Sequence, residues 1–259
     1  MQAASYNPLT VMSNGQEIPT LITIRDERRF TDVKKHIAAG FSQSTWLGQE
    51  SQVDSTISHL ITRLREKNPT DVVQMDQWMR YWQSDTLTKL AFSESRGFLA
   101  AGADVDGLFP SSKARFEHWQ QWAAMPSLEA FIFKNPIVQK FQKSTGALAK
   151  LAMSQIQVRQ SGEKQAAGND LLGRYLAASQ TAPDVFSQRE VLALTISTIH
   201  AGSETTAMTS LGMLSHLLRN PNAYRKLEEE LTGAELSIPA PFHDVEKLSY
   251  LDAVMRETM

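Results

Sequence analysis

Apolar residues recur along the chain at helical spacing. In "RRFTDVKKHIAAGF", Phe30, Val33, Ile37 and Phe41 return every three or four positions, which predicts an amphipathic helix with one buried face. "ESQVDSTISHLITRLREKN" repeats the pattern through Val53, Ile57, Leu60, Ile61 and Leu64. It ends in basic residues and stops at Asn68-Pro69, because the residue before a proline is pushed out of helical geometry. A third helix is predicted over "QMDQWMRYWQSDTLTKLAF", followed by a glycine-rich turn region, "SRGFLAAGADVDG". Further helices fit "KARFEHWQQWAAM", "NPIVQKFQKSTGALAKLAMSQIQVRQ" and "NDLLGRYLAAS", and "SGEKQAAG", 161–168, predicts a mobile loop. Strand alternation is confined to "TLITI", 20–24, and there is no internal repeat or domain linker. The pattern predicts an all-α fold, with 1–259 in a single domain.

The longest helix is the most informative. "SQRE", 187–190, offers Ser187 as N-cap with Glu190 three residues on, a capping box that opens onto apolar residues. Pro221 ends this helix and is well placed as the first residue of the next, "PNAYRKLEEEL". A helix over about 188–219 is about 48 Å long at 1.5 Å per residue, enough to cross a large domain. Between Glu190 and Arg219 its only formal charge is Glu204, within "TIHAGSETTAMTS". A buried carboxylate requires a partner, a raised pKa or a water-lined cavity. Ala201, Gly202, Ser203 and Ala207 surround it with small side chains, which predicts a close approach by another group, and Thr205 can turn its hydroxyl onto the carbonyl of Ala201. From the residues alone, three readings stand: a structural polar pair, a hydrated functional notch against a flat or bulky ligand, and a metal site using His200 and Glu204.

Composition narrows the chemistry. The chain has 259 residues, 42% of them hydrophobic, so it can bury a real core. A net charge of −2 gives no global attraction for nucleic acid or anionic lipid. There is no cysteine, which removes disulfides, thiolate metal sites and cysteine nucleophiles together. The N-terminal "MQAASYNPLTVMSNGQEIPT" has neither the basic nor the apolar region of a signal peptide, and the run from Val191 to Leu218 is too polar for a membrane span. Trp78, Trp82, Trp119 and Trp122 recur at helical spacing and read as interhelical packing. His36, His59, His118, His216 and His243 show no ligand spacing.

"AGSETT", 201–206, resembles the central-helix motif of the cytochrome P450 family: two small residues, any residue, an acid, a threonine, then threonine or serine. "LLRNPNAYRKLEEEL" resembles the helix that follows in that family, and "VEKLSYLDAVMRETM" resembles the approach to its Glu-x-x-Arg helix, with Glu257 as the glutamate. Upstream, "ERRFTDVKKHIAAGFS" is similar to the helix that crosses one haem edge, and "FLAAGADVDGLF" to the connection before the substrate-roof helices. The resemblance covers nearly all of the chain, from about helix C to helix K, and is nearest to microsomal-type fungal members of the pisatin demethylase kind.

The resemblance implies a haem cofactor, O2, a small organic substrate, an NADPH-cytochrome P450 reductase and, for the full-length parent, the endoplasmic reticulum membrane. It implies that Ala201 and Gly202 leave room on the distal haem face and that Glu204 and Thr205 form an acid–alcohol pair delivering protons. Phe30 and Lys34 stand where many relatives carry histidine and arginine near a haem propionate, so Lys34 is the implied cation there. No protein metal ligand is implied among these residues, because the family's iron ligand is a cysteine thiolate. The expectation is an internal piece of a P450 domain, lacking the anchor region and the haem-binding region and inactive by itself. Such a piece is expected to expose an apolar face around Ile196, Ile199, Met208 and Leu211 and to associate. The alternative class is a non-catalytic helical scaffold in which Glu204 pairs with a buried base.

Overall fold

The computed structural model describes residues 3–13, 15–141, 146–162 and 170–259. Most of the loop read over 161–168 lies outside them. The described chain is dominated by helices, as the periodicity predicts. A 3-10 turn over Ala4–Leu9 leads into a small antiparallel hairpin, β1 (Val11–Ser13) and β2 (Gln16–Ile18), with Val11 opposite Ile18. The strand read at 20–24 does not form. The Thr20 N–H donates to Thr23 Oγ1 at 2.7 Å, and the Thr23 and Ile24 N–H groups donate to the Thr20 carbonyl at 2.8 Å. Threonine hydroxyls that bond nearby backbone favour such turns over an extended run.

Helix α1 (Glu27–Ile37) starts at Asp26, whose carboxylate accepts the Arg29 N–H at 2.8 Å, and it buries Val33 and Ile37. Phe41 leaves the predicted stripe and is 44% exposed. The chain tightens to a 3-10 turn over Ala38–Phe41, and three residues per turn rotate Phe41 off the face that 3.6 per turn would have kept. Helices α2 (Gln43–Leu47), α3 (Glu50–Arg65) and α4 (Met75–Phe92) follow. The region read as a turn contains a short helix, α5 (Phe98–Ala101), bracketed by Gly97 and Gly102, both with positive φ. Then come α6 (Leu108–Trp122), α7 (Pro126–Phe133), α8 (Pro136–Phe141), α9 (Ala147–Gln160) and α10 (Leu171–Thr181). The segment read as one helix over "NPIVQKFQKSTGALAKLAMSQIQVRQ" is thus two helices, α8 and α9, with Gly146 at the N-cap of the second.

Helix α11 runs unbroken over Gln188–Arg219. The capping box forms as read: the Ser187 N–H donates to Glu190 Oε2 at 2.9 Å, and Ser187 Oγ accepts the Arg189 N–H at 3.2 Å. Pro221 opens α12 (Pro221–Gly233), which is followed by α13 (Phe242–Val245) and α14 (Ser249–Thr258).

The residues group into two compact units. The first is Met1–Ser42, Ala91–Ser93 and Asp104–His200; the second is Gln43–Leu90, Glu94–Ala103 and Ala201–Met259. In the first, Glu129 is 1% exposed and is held by His118 Nε2 at 2.9 Å and Lys134 Nζ at 3.3 Å. Trp119 stacks on Tyr6 and donates Nε1–H to the Ser5 carbonyl at 2.8 Å, a packing role as the sequence reading expected. Ile196 and Ile199 are buried here, at 4% and 2% exposure, so the apolar face expected around them is not uncovered. Downstream on the same helix, Met208 is 52% exposed.

In the second unit, α4 is buried over residues 83–88 although that stretch is mostly polar. Asp85, with no exposure, accepts the Gly97 and Phe98 N–H groups on Oδ1 at 2.8 and 3.1 Å and the Leu99 N–H on Oδ2 at 2.9 Å. It thereby satisfies the orphan donors that open α5. Among the described residues no helix is long and apolar enough to cross a membrane.

Candidate functional site

The "AGSETT" motif lies in the second unit and divides into an outward and an inward face. Ala201, Thr205, Met208 and Thr209 are exposed, while Ser203 and Ala207 are buried. Residues four apart stack along a helix surface, so Ala201 and Thr205 form one short-side-chain strip. Thr205 Oγ1 donates to the Ala201 carbonyl at 2.8 Å, the back-bond its position predicts.

Glu204 turns the other way. Its Oε2 lies 3.3 Å from Arg80 Nε on α4, and its side chain is 14% exposed. Acid and alcohol, adjacent in sequence, therefore sit on different sides of the helix, one anchored inward and one presented outward. No hydrogen bond joins them in the structure.

The close approach expected at the small residues is real, but α4 makes it. A Cβ added to Gly202 would lie 2.9 Å from Leu87 Cδ1 and 3.1 Å from Leu87 Cδ2, so glycine is what lets that leucine pack there. Gln83 Nε2 donates to the Gly202 carbonyl at 3.0 Å. Arg80, Gln83 and Leu87 are spaced three and four apart, so one face of α4 backs the whole motif with a cation, an amide and an apolar wedge. Sequence reasoning did not single these residues out. Their signal was a run of polar residues inside a helix whose stripe was too weak to say which side faced in.

Lys34 belongs to the first unit, where it is exposed with its ammonium 5.7 Å from the Phe30 ring centroid. Glu257 is exposed on α14 and borders a cavity of about 340 Å³ with His216, Asn220 and Tyr250. His200 packs in the first unit against Phe116, with ring centroids 4.1 Å apart. Among the described residues no group of three or more histidine, cysteine, aspartate or glutamate side chains could hold a metal ion, which leaves the His200–Glu204 metal reading without a ligand set.

Chemically, the motif offers an exposed hydroxyl and a partly exposed, charge-anchored carboxylate. A hydroxyl that donates to a carbonyl keeps its lone pairs as acceptors, so Thr205 can take a hydrogen bond from the outer face while bonded to Ala201.

The family model for cytochrome P450 matches residues 10–259. A cytochrome P450 monooxygenase of Aspergillus terreus is 29% identical over 99% of this chain and 55% of its own length. The cytochrome P450 monooxygenase easK of Aspergillus fumigatus is 32% identical over 86% of this chain and 62% of its own length, and cicH of Emericella nidulans is 29% identical over 97% and 52%. The chain spans somewhat more than half the length of these relatives. With the family match running through nearly every described element and the central-helix motif lying in an unbroken α11, the chain belongs to the cytochrome P450 family.

Proposed function

We propose that this chain forms the distal wall of a haem monooxygenase that inserts one oxygen atom of O2 into a small organic substrate, with Glu204 and Thr205 handling protons. The observation that carries the reading is the exposed Ala201–Thr205 strip, inside a family match that spans the motif. The strip fits one side of a flat prosthetic group, since between Ala201 and Thr205 the outward surface has no side chain longer than threonine. Gly202 contributes indirectly, because its open side is filled by Leu87.

Haem, when bound and given electrons by an NADPH-cytochrome P450 reductase, supplies the oxygen-activating chemistry. The chain's own residues do the rest. The Ala201 carbonyl takes the Thr205 hydroxyl proton and so orients the Oγ1 lone pairs, which can accept a hydrogen bond on the exposed face. Arg80 holds Glu204 on the other side of the helix, where its partly exposed carboxylate can exchange a proton with solvent. Lys34 as the cation for a propionate, Glu257 as the acid of a structural ion pair, and an endoplasmic reticulum location for the full-length parent all rest on the family resemblance. The Arg80–Glu204 pair is also what the scaffold reading expects, so the Thr205 face decides between the two.

No residue among the 259 supplies a cysteine thiolate, and the chain alone is therefore proposed to be inactive. Reconstituted with haem, reduced and exposed to carbon monoxide, it is expected to give only a histidine-type or unligated spectrum. A thiolate-type Soret band, or oxygen-dependent turnover with added reductase, would contradict this.

A further inference from the structure

The first unit contains a buried cation that no carboxylate compensates. Arg115 on α6 donates Nη2–H to the Leu9 carbonyl, and among the described residues it pairs with no acid. Burial pushes its guanidinium down to about 10. Facing it are Ser112, 2% exposed, one turn earlier on α6, and His200, 3% exposed, on α11. Burial, then the Arg115 charge, holds His200 down at about 4 against a backbone hydrogen bond with Ser112, so the ring is neutral. Three buried polar atoms in this cluster lack any partner: Ser112 Oγ, Arg115 Nε and His200 Nε2.

Each buried group left unpaired costs about 1–3 kcal/mol, and a buried cation without a counter-charge costs more. An anion with two oxygen acceptors offsets the Arg115 charge and both unpaired donors, Arg115 Nε–H and the Ser112 hydroxyl, at once. A guanidinium matches a carboxylate in shape and charge, and the Ser112 hydroxyl adds a neutral donor. The Phe116 ring stacked on His200 gives the cluster an apolar side, which favours an organic body behind the carboxylate.

We propose that Arg115 and Ser112, walled by the neutral His200 ring, form a binding site for the carboxylate of a small organic acid. The site lies wholly within the first unit and does not depend on oxygen chemistry, so it stands or falls separately from the monooxygenase reading. A bound anion offsets the Arg115 charge beside His200 and must raise the pKa of that imidazole.

The test uses the chain as it is, with phenylacetate and its neutral isostere phenylacetamide as probes. The His200 ring resonances, assigned with His200→Gln, are followed through a pH titration with each probe, and affinities are measured by calorimetry. Phenylacetate is expected to bind at least about tenfold more tightly than the amide and to move the His200 titration upward, whereas the amide leaves it in place. Arg115→Met is expected to lose that preference, and Lys113→Met, which removes an exposed cation from the same helix, to keep it. Equal binding of the two probes, no binding of either, an unmoved His200 titration, or a preference that survives Arg115→Met overturns the proposal. If Arg115→Met does not fold, the paired probes on the unaltered chain still decide.

Discussion

Replacing Asp85 with alanine is expected to loosen the second unit more than any other single change to α4. The Asp85 carboxylate is fully buried and accepts three backbone N–H groups that have no helical partner at the start of α5. Alanine leaves the Phe98 and Leu99 N–H groups buried and unsatisfied and Gly97 with only its 3.2 Å bond to Ser95 Oγ, so at about 1–3 kcal/mol for each of the two the loss is at least about 2 kcal/mol. Gly97, at φ +86, has a conformation open mainly to glycine, so the turn has little freedom to find other acceptors. Asp85→Asn keeps one acceptor oxygen and should fall between. Urea titration followed by circular dichroism, with amide exchange read at residues 97–99, measures both variants. An alanine variant with unchanged midpoint and unchanged exchange at Gly97, Phe98 and Leu99 would refute this account of α5.

Acid should destabilise the first unit through His200. The imidazole is lowered from 6.5 to about 4 in the folded protein, by burial and then by Arg115. Above pH 6.5 the ring is neutral in both folded and unfolded chains and contributes no pH dependence. Between 6.5 and about 4 only the unfolded chain takes up the proton, so folding loses stability as pH falls, by about 3 kcal/mol in all for that shift. His200→Gln cannot titrate and should flatten this part of the profile. Urea midpoints at several pH values between 7 and 4 compare the two proteins. Parallel profiles would mean that His200 is not the group responsible.

Helix periods and caps made most of the architecture readable. The Ser187–Glu190 capping box, the proline at 221 and the sparse charge of 191–218 located α11 before its packing was known, because these signals are local. Elements that depended on tertiary competition were not readable. "TLITI" has strand composition, yet the Thr23 hydroxyl and the Thr20 backbone N–H and carbonyl close the segment into a turn. Phe41 fits the α1 stripe until the helix tightens after Ile37. The motif itself was legible as an acid among small residues, and Thr205 does bond Ala201 as expected. Its support was not legible: Arg80, Gln83 and Leu87 lie more than a hundred residues earlier, and only the packing of α4 reveals that Leu87 is the group for which Gly202 makes room.

A distal wall requires the outward strip of α11 to meet a flat macrocycle. Ring-current shifts report this directly and do not require turnover. Adding a diamagnetic protoporphyrin, such as the gallium complex, to the methyl-labelled chain should shift the methyl resonances of Ala201 and Thr205. It should leave Val72, which is 87% exposed in the same unit, unmoved. Shifts at both Ala201 and Thr205, with the Thr205 shift lost in Ala201→Leu, are the predicted result; porphyrin binding that leaves both methyls unshifted would contradict the distal-wall assignment.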